Sequence, residues 1–311
     1  MSRFLIFGSI GWDRPIWLDQ PLSSGARLLG FSGSDHTSNL PEGRLGGAAS
    51  NGAACLVNAG HQVAVWSALR TDEVGQDIKN RLIDLGIDVS FLHAMEPVGG
   101  ETIILIEPDG ERTILFQHGD PNLDRTLRRV LKQQTARIDL SKIKSFNPDG
   151  MILRSLFHGF EQLAHLHQVS TVAHWPQGAQ TSIIPADVLI GSRDDLVTAQ
   201  LLDHPFAHAA KACGGRLKGL IITNGKTGGE VITEQRRIAF VSPSVKQIDA
   251  TGAGDAFAAG VLDALIAGAD LVEAAQHGAT WGSTSASLIG SAEPRAEDTF
   301  RSWHRTTAPA D

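Results

Sequence analysis

Cysteine is nearly absent from this chain: Cys55 and Cys213 are the only two in 311 residues, far apart and without CxxC spacing. That excludes a disulfide framework and fits reduced core thiols in a cytoplasmic protein. Long hydrophobic runs are missing too, and no apolar stretch reaches the roughly 18 residues expected of a membrane span. The uncharged segment from Gly278 to Ala292 comes nearest, and Ser283, Thr284, Ser285 and Ser287 spoil it. The opening Met1-Ser2-Arg3-Phe4-Leu5-Ile6-Phe7-Gly8 has neither the length nor the cleavage site of a secretory leader. No basic block offsets the acidic excess: 27 Lys and Arg face 34 Asp and Glu, a formal charge of −7. Such a surface repels nucleic acid, and the densest basic cluster, Arg125 to Arg129, reads as a solvated helix face. Repeats, low-complexity tracts and linkers are also absent, so residues 1–311 read as one domain.

What the chain does have is an ordinary globular balance, 42% hydrophobic and 20% charged. Short apolar strands alternate with helical patterns along nearly its whole length. Strands are expected at 4–7, 62–66, 151–153, 170–173, 188–190 and 220–223, and helices at 47–59, 73–85, 254–267 and 271–288. A tail helix is expected within 297–311. This alternation predicts an α/β fold, a doubly wound and mainly parallel sheet flanked by helices. Thr102 to Glu107 and Arg112 to Phe116 flank Pro108-Asp109-Gly110-Glu111, whose Asp-Gly supplies the positive φ of a tight hairpin turn. Residues 14–45 break the rhythm with Pro, Gly and Ser around Trp17, Leu28, Leu29 and Phe31. Together with 99–117 they read as lid strands outside the main sheet, placed to cover a ligand crevice.

The segment richest in chemistry is Asp249-Ala250-Thr251-Gly252-Ala253-Gly254-Asp255-Ala256-Phe257-Ala258-Ala259-Gly260. Small residues entering a helix let a ligand approach the backbone, and the helix's first N–H groups point outward as an anion site. Asp255 there is placed to take a proton from an attacking hydroxyl. The same residues equally describe a glycine-loosened turn whose acid complements the helix dipole. Competing motifs fail: Phe257 stands where a dinucleotide fingerprint needs glycine, and Leu220 where a Walker loop ending in Gly225-Lys226-Thr227 needs one. His204 and His208 lack the glutamate of a zinc-protease pair.

Segment 249–262 resembles the C-terminal signature of the ribokinase-like (PfkB) carbohydrate kinases. Gly8-Ser9-Ile10-Gly11-Trp12-Asp13, Gly46-Gly47-Ala48-Ala49-Ser50-Asn51, Asp72-Glu73-Val74-Gly75 and Thr223-Asn224-Gly225-Lys226-Thr227-Gly228 resemble further motifs of that family, in family order from about residue 4 to 294. The resemblance implies an ATP-dependent kinase acting on a hydroxyl of a small sugar or sugar derivative. It implies Asp255 as base, with Gly252, Ala253 and Gly254 as the anion hole for the γ-phosphoryl group. Asp13, Gly46, Gly47 and Asn51 are implied at the sugar, the glycines sparing it a collision. Thr223, Gly225 and Lys226 are implied at ATP, and His277 near adenine or, equally, on the helix surface. Asp249, with the backbone near Thr251 and Gly290, resembles a monovalent-cation site, which implies K⁺; it reads equally as a loop cap.

Where the family has Asn-x-x-Glu to organise Mg²⁺, this chain reads Ser192-Arg193-Asp194-Asp195, leaving the shorter Asp195 to act through water. His174-Trp175-Pro176 is a second departure. Arg112 and Arg154 read as surface or ion-pair residues, with contact to an anionic substrate as the alternative. A nucleoside kinase of the same fold and a catalytically weakened regulatory binder stay open as alternatives. The resemblance also implies that the lid can form a homodimer interface.

Overall fold

The computed structural model describes residues 1–24, 27–31, 43–95, 102–116, 134–176, 183–290, 292–293, 295–296 and 299–304. The first part of the chain runs β1 (Arg3–Phe7), β2 (Gly11–Leu18), β3 (Gly30–Phe31), β4 (Arg44–Gly46), α1 (Ala48–Asn58), β5 (Gln62–Arg70) and α2 (Glu73–Asp84). It continues through β6 (Leu92–Met95), β7 (Thr102–Ile106), β8 (Arg112–Phe116), α3 (Leu140–Phe146), β9 (Gly150–Leu153) and β10 (Ser170–His174). Then come β11 (Val188–Ser192), α4 (Arg193–Thr198), α5 (Pro205–Cys213), β12 (Gly219–Thr223), β13 (Gly229–Ile232), β14 (Arg237–Phe240), α6 (Ala253–Ile266) and α7 (Leu271–Ala286).

Nine strands form one sheet in the order β14-β13-β12-β11-β10-β9-β1-β5-β6, and every pairing from β12 to β6 is parallel. Its central strands are apolar on both faces, with Phe4, Leu5, Ile6 and Phe7 all buried. Such strands need cover on both sides, and two buried hydrophobic clusters supply it. Helices α6 and α7 pack on one face at close range. A Cβ on Gly260 would meet Trp281 and the Gly278 backbone at 3.0–3.1 Å, so glycine sets that approach.

The second sheet, β3-β2-β7-β8 with β4 paired to β2, is the lid. The hairpin is as expected: β7 and β8 are antiparallel, and Gly110 has φ 83°. The first lid segment, expected at 14–45, begins earlier, at Gly11, and its residues 25–26 and 32–42 lie outside the described residues, as do 99–101 and 117 of the second lid segment. Trp17, Ile104 and Ile106 give the lid a small core of its own.

The antiparallel hairpin of β13 and β14 and the short β6 were not expected from the sequence. The tail differs as well: residues 299–304 are irregular rather than helical, with Phe300 buried against Trp281, and 297–298 and 305–311 lie outside the described residues. Both cysteines are buried and unpaired, and burial pushes the Cys213 thiol up to about 12. No helix among the described residues is long and apolar enough to cross a membrane.

Candidate active site

Chain order reverses at β1, which has β5 on one side and β9 on the other. Open α/β sheets bind ligands beyond the carboxyl ends of the strands at such a switch point. Gly8 leaves β1 there and Arg154 leaves β9, its N–H donating to Phe7 O at 2.7 Å.

Asp255 sits in the first turn of α6 with 8% of its surface exposed. Asn51, in the first turn of α1, donates from Nδ2 to Asp255 Oδ2 at 3.0 Å. Arg154 Nε lies 2.8 Å from Oδ1, an ionic contact rather than a directed hydrogen bond. One carboxylate is thus oriented by two groups from elements far apart in the chain. Gly252 precedes the helix with φ 77°, a left-handed conformation that glycine adopts without strain. Ala253 N–H is spent on Ala250 O at 3.2 Å. The N–H groups of Gly252 and Gly254 have no acceptor among the described residues, and a Cβ on Gly254 would meet nothing within 4 Å. This leaves two of the three expected amides uncommitted among the described residues, with open space beside Gly254.

Asp13 lies on β2, paired in register with Arg44 of β4. Burial pushes its carboxyl up to about 6, Asp249 and Asp255 push the same way, and the Arg44 charge opposes them. Gly46 has a clear local reason: a Cβ there would overlap the Asp13 carboxylate. At Gly47, φ is 93° and a Cβ would stand 2.6 Å from Ser9 O. Both glycines therefore make room for the protein's own atoms. Asp72 caps α2, accepting from Gly75 N–H at 3.1 Å, so that motif is structural.

The exposed loop Asn224–Thr227 follows β12, and Thr223 is in register with Ser192 of β11. Thr223, Gly225, Lys226 and Asp195 therefore share one end of the sheet. Ser192 caps α4, accepting from Asp195 N–H at 3.0 Å, which leaves the exposed Asp195 carboxylate facing solvent. A single solvated carboxylate fits Mg²⁺, which keeps most of its waters and the phosphates it travels with. No cluster of three metal-ligating side chains occurs among the described residues. His174, at the end of β10, is held neutral: burial and the Arg154 charge bring it down to about 4, against the pull of Asp195.

Two of the expected residues have partners within the chain. His277 Nε2 meets Asp263 Oδ2 at 3.1 Å, two turns down α6 from Asp255, which ties one ring nitrogen to a buried carboxylate. His61 meets Asp263 Oδ1 at 2.8 Å and Trp303 N–H donates to Oδ2 at 2.7 Å. Burial would raise the Asp263 pKa, but the hydrogen bonds from His277, His61 and Trp303 outweigh it and hold the carboxyl well below its usual range. The residues around Asp249 do not fit K⁺. Asp249 is fully buried, and its carboxylate takes Arg44 Nη2 at 2.5 Å, Thr251 N–H at 2.8 Å and Gly290 N–H at 3.2 Å. The neighbouring carbonyls of Ile289 and Gly290 accept from Arg295 Nη2. Arg44 is the site residue that sequence reasoning missed, its only signal being an arginine beside glycines; Arg154 is expected as a surface or ion-pair residue, and its partner is Asp255.

A family model described as "pfkB family carbohydrate kinase" matches residues 27–298. The ribokinase of Bacillus subtilis is 24% identical over 277 residues, covering 87% of this chain and 88% of its own. The structure of Arabidopsis thaliana ribokinase complexed with ribose and ATP superposes with a TM-score of 0.64 at 16% identity, over 94% of each chain. That of Burkholderia thailandensis nucleoside kinase with inosine does so with a TM-score of 0.65 at 19% identity, over 93% of this chain and 92% of that one.

Proposed function

The chain belongs to the pfkB family of carbohydrate kinases, and from that premise we propose that it transfers the γ-phosphoryl group of ATP to a primary hydroxyl of a small sugar or sugar derivative. The observation that carries this reading is the Asp255 carboxylate at the start of α6, gripped by Asn51 and Arg154. Asp13 and Asn51 bind acceptor hydroxyls, the first by accepting and the second by accepting and donating. Asp255 takes the proton of the attacking hydroxyl as its oxygen bonds to phosphorus. Arg154 and Asn51 hold the carboxylate oriented until the acceptor arrives. The open N–H groups of Gly252 and Gly254 receive charge on the phosphoryl oxygens, so positioning and charge stabilisation supply most of the rate. Thr223, Gly225 and Lys226 line the nucleotide's end of the crevice. Mg²⁺ accompanying ATP supplies charge neutralisation there, and Asp195 would hold it through water.

The lid excludes water from the transfer. Its β8 edge exposes Ile114 and Leu115, at 42% and 47%, and offers this edge to a second copy of the chain. Sedimentation of Leu115→Lys checks that: a dimer in the wild type should become a monomer.

The kinase reading is tested by measuring ADP release with Mg²⁺ and ATP against separate pools of sugars, acid sugars and nucleosides. Wild-type turnover with a sugar pool, lowered by about 10²–10⁴ in Asp255→Asn, is the expected result. Turnover with nucleosides alone would move the acceptor class. Near-normal turnover in Asp255→Asn would remove the base.

A further inference from the structure

We infer that the guanidinium of Arg44, seconded by that of Arg295, stands in the chain as a resident cation where a free monovalent cation would sit beside Asp249. The loop entering the catalytic helix is then held without potassium. Arg44 is a positioning residue: it touches Asp249, and Asp249 holds the Thr251 N–H in the turn that leads to Gly252. The inference rests on the kinase reading only for the loop's importance, not for the cation's identity.

Five observations converge. The Arg44 and Asp249 side chains are 4% and 0% exposed, so the pair is shut away from solvent salt. Burial would raise the Asp249 pKa, but the Arg44 charge and the Thr251 contacts hold it below the usual carboxylate range, so the anion persists for a cation to balance. Gly290 has φ 57°, and a Cβ there would press on the Arg44 Cζ and Nη1 at 3.0 Å; the glycine admits the planar head. The same head lies over the Trp17 ring, with Cζ 6.0 Å from its centroid. Arg295 covers the Ile289 and Gly290 carbonyls, which a potassium ion would otherwise draw on. Both carboxylate oxygens of Asp249 and these two carbonyls are therefore already engaged, by the two guanidinium groups and by the Thr251 and Gly290 N–H groups. Unlike a bound ion, this cation is fixed to β4 of the lid, so the lid and the catalytic loop share one electrostatic joint.

The test starts with the wild-type chain, free of nucleotide and acceptor, titrated with Tl⁺ as a potassium stand-in and followed by thallium NMR. No saturable binding tighter than about 0.1 M is expected. Its turnover should also be the same within about twofold in KCl and in tetramethylammonium chloride of equal ionic strength. Saturable millimolar Tl⁺ binding overturns the inference even if the chain proves not to be a kinase. Arg44→Ala should gain what the wild type lacks: a Tl⁺ signal, and kcat lowered about tenfold or more but restored by K⁺ or guanidinium and not by tetramethylammonium. A merely structural arginine gives no ion-selective rescue, so a folded Arg44→Ala indifferent to every cation also overturns it. Should that variant fail to fold, the wild-type titration alone decides.

Discussion

Replacing Asp13 by Asn should make the protein more stable at neutral pH and worse at holding its acceptor. Asp13 is 6% exposed, and burial raises its pKa from an ordinary 3.8 to about 6. The folded state thus holds the Asp13 proton between those values while the unfolded state has released it. The sign follows: the contribution is fully present below 3.8 and is lost as pH rises through about 6. At about 1.4 kcal/mol for each tenfold change in proton affinity, keeping the carboxylate charged and buried costs up to about 3 kcal/mol at neutral pH. Asn has nearly the same shape and no charge to desolvate. The assay is urea unfolding of wild type and variant at about pH 4.5 and about pH 7.5, because the other titrating groups cancel in the difference. The variant should gain on the wild type by about 2 kcal/mol between the two pH values, since part of the full change lies below about pH 4.5. Acceptor affinity of the wild type should meanwhile fall about tenfold for each pH unit below about 6, and that of the variant should stay flat. A stability difference that does not move with pH would refute the argument, because the charge on Asp13 would then cost nothing.

Asn51→Ala strips Asp255 Oδ2 of its donor; calorimetry should show acceptor binding weaker by about 1–3 kcal/mol and ATP binding nearly unchanged. Gly46→Ala drives a methyl into the Asp13 carboxylate and should weaken acceptor binding about as much as Asp13→Ala does. The double variant should be little worse than either, which a double-mutant cycle on binding would reveal. Asp263→Asn should lower stability above about pH 4 and converge on the wild type in acid, since the depressed pKa contributes stability that is lost as pH falls below the ordinary carboxylate range. Turnover per folded molecule should not change, because the Asp263 cluster lies two turns from Asp255.

The parallel sheet was legible because its strands are buried on both faces and read as unbroken apolar runs, such as Leu220-Ile221-Ile222. The β13–β14 hairpin was not, because its strands carry Glu230 and Arg237. Those charges become tolerable only once they pair across the edge, at 2.8 Å. Asp255 could be named in advance from the run of small residues entering a helix, and Asn51 and Asp13 from the resemblance of their segments to the family's motifs. What brings them together is tertiary: 204 positions separate Asn51 from Asp255. The same limit hid the partner of His277, which the packing of α6 against α7 fixes as Asp263. It also hid the role of Arg44 and the partner of Arg154, because an arginine's charge says nothing of which carboxylate will be waiting for it.

The collision between Gly46 and the Asp13 carboxylate also bears on how such a sequence can change over generations. While Asp13 stands, every side chain at 46 is forbidden, however small. Once Asp13 is lost, the three nearest atoms that bar a side chain at 46 go with it, and that position gains room to drift. The two losses have a fixed order, acid first and glycine second, and the reverse route passes through a damaged intermediate. A descendant that had abandoned acceptor binding would carry this order as a record, and this chain, with both residues in place, has not taken the first step.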